Sequence, residues 1–353
     1  MTMVDRPGSA NRSVYLLVVP LAVFLLLACT PVAEARAKET GSEHEAVELL
    51  TKAAKAANRT AYRGVQEVRA WYGRSGCTQT LRVHHVPGRG TEITAASGTG
   101  AGRVTNVPDG LSAATPQLQL LTANYRVVRA GVASIAGRLA EIVDAKSAAG
   151  EVRARYWLDR ATGLLLRRDV FDEDGRLARR SAFTSIDMRS REAPQEMQVA
   201  AGGDRGPSGR EISLGRVGEL RSAGWTVPKR LADRFDLYDV RSTGHAANTS
   251  LHLTYSDGIS VLSVFEQRGH LDESHLVGWH TAKVGGRTVY LRDTVPRQLT
   301  WAGPGTVFTV VTDAPDRAVG STVRMLPGAE ERPGFWARVA RGLARIVSWC
   351  NPF

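Results

Sequence analysis

Histidine and acidic side chains come closest, in this chain, to the spacings that catalysis or metal binding requires. His270, His275 and His280 recur every five residues, a spacing that turns an α-helix by about 500° and so separates the rings. His84 and His85 are adjacent in a strand-like segment, where neighbouring side chains point to opposite faces. Neither set predicts a shared metal ion.

An acidic turn, Asp172-x-Asp174-Gly175, resembles the start of a calcium-binding loop. The glutamate expected nine residues after Asp174 is missing, because Phe183 occupies that position. A hairpin turn is therefore the better interpretation. The sequence also has no G-x-S-x-G motif, no Walker loop and no H-E-x-x-H motif. We predict a protein that is not an enzyme and has no cofactor or metal; a catalytic site dispersed along the chain is the weaker alternative.

The N-terminus has the features of an export signal. Residues 14–29 are apolar and uncharged and follow a polar segment that contains Arg6 and Arg12. This stretch is shorter than the roughly 20 residues that a membrane span needs, and it fits the apolar region of a secretory signal. We predict residues 1–37 as the signal. The rest of the chain is then extracytoplasmic, in a periplasm-like space or at the outer face of the membrane.

Three fates of this signal are open. Small residues at positions 33, 35 and 37 suit a signal peptidase. Leu26-Leu27-Ala28-Cys29 resembles a lipobox, in which Cys29 becomes the lipidated first residue, although Leu27 is larger than the residue usually found there. An uncleaved anchor is the third alternative. Cys77 and Cys350 are too far apart to give a spacing pattern, so pairing and two free thiols both stay open.

Length and charge limit the class of protein further. The chain has 353 residues, enough for about two domains, and 43% of the residues are hydrophobic, which supports packed cores. The net charge is +11. Residues 1–35 contribute nothing to it, because Arg6 and Arg12 balance Asp5 and Glu34. Outside the cytoplasm, this charge favours an acidic protein or an anionic membrane surface over nucleic acid as the partner.

The first domain, residues 38–190, has the pattern of an antiparallel meander with helices. Residues 43–57 form an amphipathic helical pattern, with Ser42 as the expected N-cap and Glu45 completing a capping box. Residues 116–124 give a shorter helix. Alternating strand-like segments, separated by turn signals, lie at 62–72, 78–86, 124–131, 136–146, 152–159, 164–172 and 176–188. A meander with helices predicts an α+β domain.

A polar segment rich in Gly and Pro at residues 191–210 reads as a linker. A second α+β domain is predicted at 211–329. It has a helix at Asp316–Met325 and strands at 247–257, 259–267, 282–293, 297–303 and 305–313.

The last segment, residues 330–353, has the spacing of a basic amphipathic helix. Its apolar and aromatic residues fall on one side and its arginines on the other. A membrane-surface helix, a helix docked on its own domain and a partner-binding helix are the three alternatives. The residues proposed for membrane contact are Phe335, Trp336, Arg338, Val339, Arg341, Leu343, Arg345 and Ile346.

Short motifs in a fixed order carry a resemblance to a known family. In the first domain they are Tyr62-Arg63-Gly64-Val65, Asn124-Tyr125-Arg126-Val127, Ala136-Gly137-Arg138, Tyr156-Trp157-Leu158-Asp159, Thr162-Gly163-Leu164 and Phe183-Thr184-Ser185-Ile186. In the second they are Tyr255-Ser256-Asp257-Gly258-Ile259, Ser263-Val264-Phe265 and the valine-rich segment 306–311. Taken together, residues 43–328 resemble the MucB/RseB family of sigma-factor regulatory proteins.

The resemblance implies both a fold and a function. The fold is α+β: a LolA-like curved antiparallel half-barrel with covering helices, followed by a smaller antiparallel-sheet α+β domain. The implied function is to bind the extracytoplasmic part of a membrane anti-sigma factor and to restrain an envelope-stress response, with lipid as a candidate signal. The alternative is a carrier or sensor of lipid or lipoprotein at the outer face of the membrane.

Two sets of candidate residues follow from the resemblance. Tyr255, Ser256, Asp257 and Gly258 are the candidates for partner binding. The candidates for an acyl-lipid pocket are Tyr62, Val65, Val68, Leu81, Val83, Tyr125, Val127, Ile142, Trp157, Leu165, Val170 and Phe183.

Overall fold

The computed structural model describes residues 30–73, 75–95, 114–188, 209–244 and 249–328, without the side chains of 30–41 and 114–117. The chain divides into two compact units, residues 1–41 and 42–353, and both sheets belong to the second unit. None of the described helices is both long and apolar enough to cross a membrane. Segment 14–29, Cys29, Cys350 and segment 330–353 lie outside the described residues, so the expectations for them stay predictions.

The first sheet is an eight-stranded antiparallel meander in the order β3-β2-β1-β8-β7-β6-β5-β4. Strand β1 pairs with β8, which joins the β1–β3 part to the β4–β8 part. The elements are α1 (Thr30–Arg59), β1 (Tyr62–Tyr72), β2 (Ser75–Val86), β3 (Gly90–Ala95), α2 (Ala114–Asn124), β4 (Arg126–Ile135), β5 (Arg138–Lys146), β6 (Val152–Asp159), β7 (Leu165–Phe171) and β8 (Leu177–Asp187).

The second sheet has nine strands and is also antiparallel, in the order β10-β11-β12-β13-β17-β16-β15-β14, with β9 paired to β11. The two sheets with their few helices confirm the predicted α+β class. The elements are β9 (Arg210–Glu211), α3 (Val217–Ser222), β10 (Arg230–Leu231), β11 (Phe235–Thr243), β12 (Ser250–Ser256), β13 (Val261–Arg268), β14 (His280–Val284), β15 (Arg287–Arg292), β16 (Arg297–Gly303), β17 (Thr306–Thr312) and α4 (Asp316–Met325).

Three local features differ from the sequence prediction. Helix α1 begins at Thr30 and not after Ser42, because residues 33–40 are mostly good helix formers. The Ser42 hydroxyl instead accepts a hydrogen bond from the Arg129 backbone N–H, at 3.2 Å. The predicted strand 282–293 is a hairpin of β14 and β15 that turns at Gly285-Gly286. Strands β3 and β11 were not predicted at all.

Side chains of the first sheet alternate between two faces. The helix-bearing face carries α1, whose Ala46, Leu50 and Ala53 pack on buried side chains of β4 to β7. The side chains of these strands that contact α1 or lie beside it are Val127, Val143, Ala145, Ala154, Tyr156, Leu158 and Val170. The opposite face carries the residues between them.

A ladder of charges crosses the opposite face. Asp144, Arg155, Asp169 and Arg180 occupy directly paired positions on four successive strands. Arg155 donates two hydrogen bonds to Asp144, at 2.6 and 2.8 Å. Asp169, which is 2% exposed, accepts from Arg180 at 2.9 and 2.7 Å and from Arg167 at 3.0 and 2.7 Å. Opposite charges at facing positions stabilise a sheet, so this ladder fixes the register of β5 to β8.

Asp169 makes the stability of the first sheet depend on pH. Burial alone would raise the pKa of Asp169, but hydrogen bonds from Arg180 and Arg167 hold it below its ordinary value. A lowered pKa in the folded state stabilises the fold above the unfolded-state pKa, and this contribution is lost as pH falls through the folded-state value. At neutral pH, Asp169→Asn is expected to cost about 3 kcal/mol, because two arginines lose their carboxylate.

Urea denaturation between pH 7 and pH 3 measures this effect. The difference between wild type and Asp169→Asn should shrink as pH falls, because protonation removes the same charge from wild type. Asp174→Asn is the control, since Asp174 pairs with Arg176 on the surface and is expected to cost less than about 1 kcal/mol. A constant difference across this pH range would contradict the assignment.

Candidate functional site

The turn between β12 and β13 is fixed by its own side chains. We call residues 256–260 the Asp257 turn. Asp257 Oδ1 accepts hydrogen bonds from the backbone N–H groups of Ile259 and Ser260, at 2.9 and 2.7 Å. The Ser256 hydroxyl accepts from the Gly258 N–H at 2.9 Å, and Gly258 has a positive φ of 94°. Such side-chain to backbone bonds make a rigid turn with one carboxylate oxygen left over.

The remaining oxygen of Asp257 binds the first sheet. Tyr125, between α2 and β4, donates its hydroxyl to Asp257 Oδ2 at 2.5 Å. The Asn124 side-chain amide donates to the Asp257 carbonyl oxygen at 3.1 Å. Asp257 is 4% exposed and Tyr125 is 6% exposed. The Asp257 turn therefore forms a buried polar contact between the two sheets.

Burial and hydrogen bonding act in opposite directions on Asp257. Burial raises its pKa; the Ser260 N–H, the Tyr125 hydroxyl, the Ile259 N–H and the Arg234 guanidinium oppose that effect. Burial, together with the neighbouring Asp257, likewise raises the pKa of Tyr125. Tyr125 is thus held as a hydrogen-bond donor.

Arg234 links the Asp257 carboxylate to an acid of the first sheet. Its Nε lies 3.6 Å from Asp257 Oδ2. Its Nη2 donates to Glu173 Oε1 at 2.8 Å, and Glu173 belongs to the β7–β8 turn. One second-sheet arginine therefore bridges an acid of its own domain and an acid of the first sheet.

Ile259 completes the apolar side of this contact. It is 3% exposed and packs in the same cluster as Leu50, Leu121 and Tyr125. Its carbonyl oxygen accepts a hydrogen bond from the Arg168 guanidinium of β7. Arg168 also lies 3.5 Å from Asp313 of the second sheet. A second-sheet residue thus forms part of the core beneath α1 and α2.

A second contact joins the sheets at the end of β1. The Tyr72 hydroxyl donates to the Thr294 carbonyl oxygen at 2.7 Å. The Arg297 guanidinium lies 4.5 Å from the centre of the Tyr72 ring, a cation–π distance. Val295 packs against a buried group that we call the Tyr62 cluster, which consists of Tyr62, Val68, Leu81, Val83, Ile93, Leu164 and Phe183.

The partner-binding candidates lie in the first of these contacts. Tyr255, Ser256, Asp257 and Gly258 are all buried, and the Tyr255 hydroxyl donates to the Pro228 carbonyl oxygen at 3.0 Å. They do not form an exposed surface. A partner would reach them only if the two sheets moved apart, so their role in partner binding stays a prediction.

The twelve lipid-pocket candidates do not line one cavity. Tyr62, Val68, Leu81, Val83 and Phe183 come together in the Tyr62 cluster. The other seven divide by face, because neighbouring residues of a strand point to opposite sides. Tyr125, Val127, Leu165 and Val170 lie in or against the cluster beneath α1, whereas Ile142 and Trp157 pack together on the opposite face.

Val65 and His84 line a depression on the opposite face of the sheet. This open depression of about 560 Å³ is lined by both charged and apolar residues, among them Arg63, Val65, Arg82 and His84. His85 points to the other face and stacks on Tyr62 at 5.3 Å between ring centres. The prediction that His84 and His85 face opposite sides is confirmed.

Sequence reasoning missed the arginines that join the sheets. Arg168 lies in the run Leu164-Leu165-Leu166-Arg167-Arg168, and Arg234 precedes the unpredicted strand β11. A charged residue at an inward position of an apolar strand was the available signal, because such a charge needs a buried partner. Its partner, however, is far away in sequence.

Two antiparallel sheets joined by buried polar turns, one of them covered by helices, define an α+β protein. The family model described as the MucB/RseB N-terminal domain matches residues 102–201. This part of the chain is therefore similar to the MucB/RseB family, which its motifs also resemble. Among curated proteins, none matches this chain.

Several solved structures are similar to this chain. One is the Pseudomonas aeruginosa MucA/MucB complex, which is 20% identical in sequence and has a TM-score of 0.45. The match covers 81% of this chain and 100% of that chain. A crystal structure of MucB is 19% identical and has a TM-score of 0.44, and the match covers 80% of this chain and 96% of that chain. A putative outer membrane lipoprotein-sorting protein domain from Vibrio parahaemolyticus is 10% identical and has a TM-score of 0.24. The match covers 45% of this chain and 99% of that chain.

Proposed function

We propose that this protein is an extracytoplasmic, non-enzymatic regulator that binds the extracytoplasmic part of a membrane anti-sigma factor. Binding restrains a sigma factor of the envelope-stress response. The observation that carries the proposal is the match of residues 102–201 to the MucB/RseB N-terminal domain. The predicted export signal and the net charge of +11 support it, because an exported basic protein would be accessible to an acidic partner segment.

Binding to the predicted partner can be measured directly. The test uses the exported chain and the extracytoplasmic segment of the anti-sigma factor encoded in the same operon. We expect saturable binding by calorimetry that weakens as salt rises from 50 to 500 mM, because charge attraction is screened. Deletion of the gene should raise transcription of the sigma regulon. Absence of binding, together with an unchanged regulon, would contradict the proposal.

A lipid or lipoprotein carrier or sensor is the second candidate function. The Tyr62 cluster supports it, because this cluster gathers apolar side chains from β1, β2, β3 and β8 on the helix-bearing face. Val295 of the second sheet packs against the same cluster. An acyl chain bound there would compete with Val295, and lipid binding would then loosen one contact between the sheets.

Native mass spectrometry of gently extracted protein tests this candidate. We expect an acyl adduct that a delipidating wash removes. The purified protein should then take up a fatty-acid probe. Protein without an adduct that also ignores the probe would exclude the candidate, and it would leave the anti-sigma proposal untouched.

A further inference from the structure

The outer edge of β4 is free over the last residues of the strand. Strand β4 ends the first sheet, and among the described residues it pairs only with β5. A bulge between Arg129 and Gly131 divides it. Before the bulge, the Arg129 backbone N–H donates to the Ser42 hydroxyl of α1, at 3.2 Å. After the bulge, no described strand pairs with the outer side of residues 131–135.

The pairing of β4 with β5 shows which backbone groups face this free edge. The Leu139 carbonyl oxygen accepts a hydrogen bond from the Arg160 N–H, at 2.9 Å, so the backbone groups of Leu139 are directed away from β4. Facing residues of an antiparallel pair either exchange hydrogen bonds or both direct these groups away from each other. Ser134 faces Leu139, and Val132 lies two positions earlier in the same register. Val132 and Ser134 therefore direct their N–H and C=O groups to the outside. The outward N–H of Arg129 fits the same alternation, because its facing residue lies four positions after Leu139.

Apolar side chains flank this edge on both faces of the sheet. Val132 and Leu139 are 45% and 48% exposed, and they lie on neighbouring strands of the helix-bearing face. On the opposite face, Ala133 and Ile135 pack against the buried cluster that contains Trp157. A strand added at this edge would therefore have apolar neighbours on both of its faces.

The other outer strands of the two sheets carry charges along their length. Charged residues on an edge strand protect it against unwanted pairing. Residues 131–135 include none. The charged residues of the other outer strands are Glu92 on β3, Arg210 and Glu211 on β9, Arg230 on β10 and Lys283 on β14. Among the strands that the structure describes, the end of β4 is thus the edge least protected against an incoming strand.

We propose that residues 131–135 bind an extended segment of a protein partner, which adds to the first sheet as a further strand. The outward groups of Val132 and Ser134 would hydrogen-bond to the main chain of this segment, and its side chains would pack on the apolar residues of each face. The segment should be uncharged and rich in small or β-branched residues, because both of its faces meet apolar neighbours. The inference rests on the proposed function in one respect, since the partner tested is the anti-sigma factor.

The shortness of the free edge favours a peptide segment over a second copy of this chain. Five residues of strand are about 17 Å long. Pairing two such edges would bury far less than the roughly 1,200 Å² that a stable interface between proteins needs. A peptide strand can bind with a smaller area, because main-chain hydrogen bonds contribute to its affinity.

Ser134→Pro is the main variant, because proline removes the outward N–H and leaves the bonds to β5 in place. Ser134→Ala is its matched control, since it changes the side chain and keeps the N–H. Val132→Lys places a charge at the same edge, and Val132→Thr is its β-branched control. All are tested by calorimetry with the exported chain and the extracytoplasmic segment of the anti-sigma factor from the same operon. We expect the two controls to bind as wild type does. Ser134→Pro and Val132→Lys should bind roughly 10-fold more weakly or worse, the effect of losing one or two hydrogen bonds or of burying a charge.

Amide hydrogen exchange gives a readout that is specific to strand addition. When the anti-sigma segment is added, the N–H groups of Val132 and Ser134 should become protected, because they acquire hydrogen-bond acceptors. Weaker binding of the variants without this protection would indicate a side-chain contact and would overturn the proposal. Protection of β3 or β14 in its place would also overturn it. If Ser134→Pro does not fold, as thermal unfolding will show, the two Val132 variants carry the test.

The outcomes separate this edge from the proposed function. Equal binding by wild type and all four variants would overturn the edge site and leave the proposed function intact. Failure of wild type to bind would contradict both. Sedimentation of the chain alone tests for a second copy. A dimer that Val132→Lys dissociates and Val132→Thr preserves would assign the edge to self-association and overturn the proposal.

Discussion

Replacing Asp257 by alanine is expected to lower the free energy of unfolding by about 3–5 kcal/mol and to loosen the contact between the two sheets. The variant leaves the Tyr125 hydroxyl and the N–H groups of Ile259 and Ser260 buried without their acceptor. Each such group carries a desolvation cost of about 1–3 kcal/mol, part of which water entering the opened contact offsets. Urea denaturation gives the stability, and small-angle X-ray scattering detects separation of the sheets.

Asp272→Ala is the matched control for this variant. Asp272 makes a comparable bond to the Ser274 backbone N–H, at 3.0 Å, on the surface of the same domain. Its loss is expected to cost about 1 kcal/mol or less. A double-mutant cycle with Tyr125→Phe isolates the bond between the sheets, and we expect a coupling energy above about 1 kcal/mol. Equal effects of the two alanine variants, with no coupling, would show that Asp257 only shapes its own turn.

Gly258→Ala is expected to disrupt the same contact by steric overlap. A Cβ at Gly258 would lie 2.2 Å from the backbone nitrogen of Leu121 and 2.3 Å from its Cα, so it would collide with helix α2. The backbone of a helix cannot shift to relieve this overlap as a flexible side chain could. The positive φ of 94° adds strain of about 1–2 kcal/mol for any L-residue with a Cβ. We expect a total loss of about 3 kcal/mol or more, measured by urea denaturation.

Gly286→Ala is the control that separates the backbone strain of a positive φ from the steric overlap of the added Cβ. Gly286 also lies in a hairpin turn of the second sheet with a positive φ, 82°, but a Cβ there would meet nothing within 4 Å. Its substitution should therefore cost only the backbone strain of about 1–2 kcal/mol. If Gly258→Ala and Gly286→Ala lower the free energy of unfolding equally, the close approach of the Asp257 turn to α2 does not contribute to stability.

These variants also connect the fold to the proposed function. If the regulator binds its anti-sigma partner with the sheets joined, Asp257→Ala should weaken binding in the calorimetric assay. If the partner instead needs residues buried in the Asp257 turn, the same variant should strengthen binding, because the cost of opening the contact has already been removed. Either result would assign the partner-binding candidates, whose burial now leaves their role undecided.

Much of the fold was predictable because strand periodicity is a local signal. Segments 62–72 and 152–159 have strand-like sequences bounded by turn signals, and they coincide with β1 and β6. Strand β3 was missed because its six residues, Gly90–Ala95, follow a Pro-Gly turn and include one large apolar side chain, Ile93. The Gly285-Gly286 turn was read as part of one strand, because the apolar pattern on its two sides is continuous.

The candidate site was less predictable because it is formed by residues far apart in sequence. Asp257 ends the predicted strand 247–257, and in the structure it lies in the turn between β12 and β13. Its partner Tyr125 lies 132 positions away. Tyr125, a residue of the predicted strand 124–131, was placed in a lipid pocket on the basis of the family resemblance. A sequence does not say which face of one sheet meets which turn of another.

The sequence by itself determined the antiparallel α+β class, the resemblance to the MucB/RseB family and the basic charge, since alternation, motifs and composition are properties of short segments. Tertiary structure alone decided which charges are satisfied. Arg168 and Arg179 are two residues of one type on neighbouring strands of the same face, yet among the residues that the structure describes only Arg168 meets a carboxylate. The reason is physical: the partner of a buried charge is set by packing between distant elements. The same packing covers the Asp257 turn.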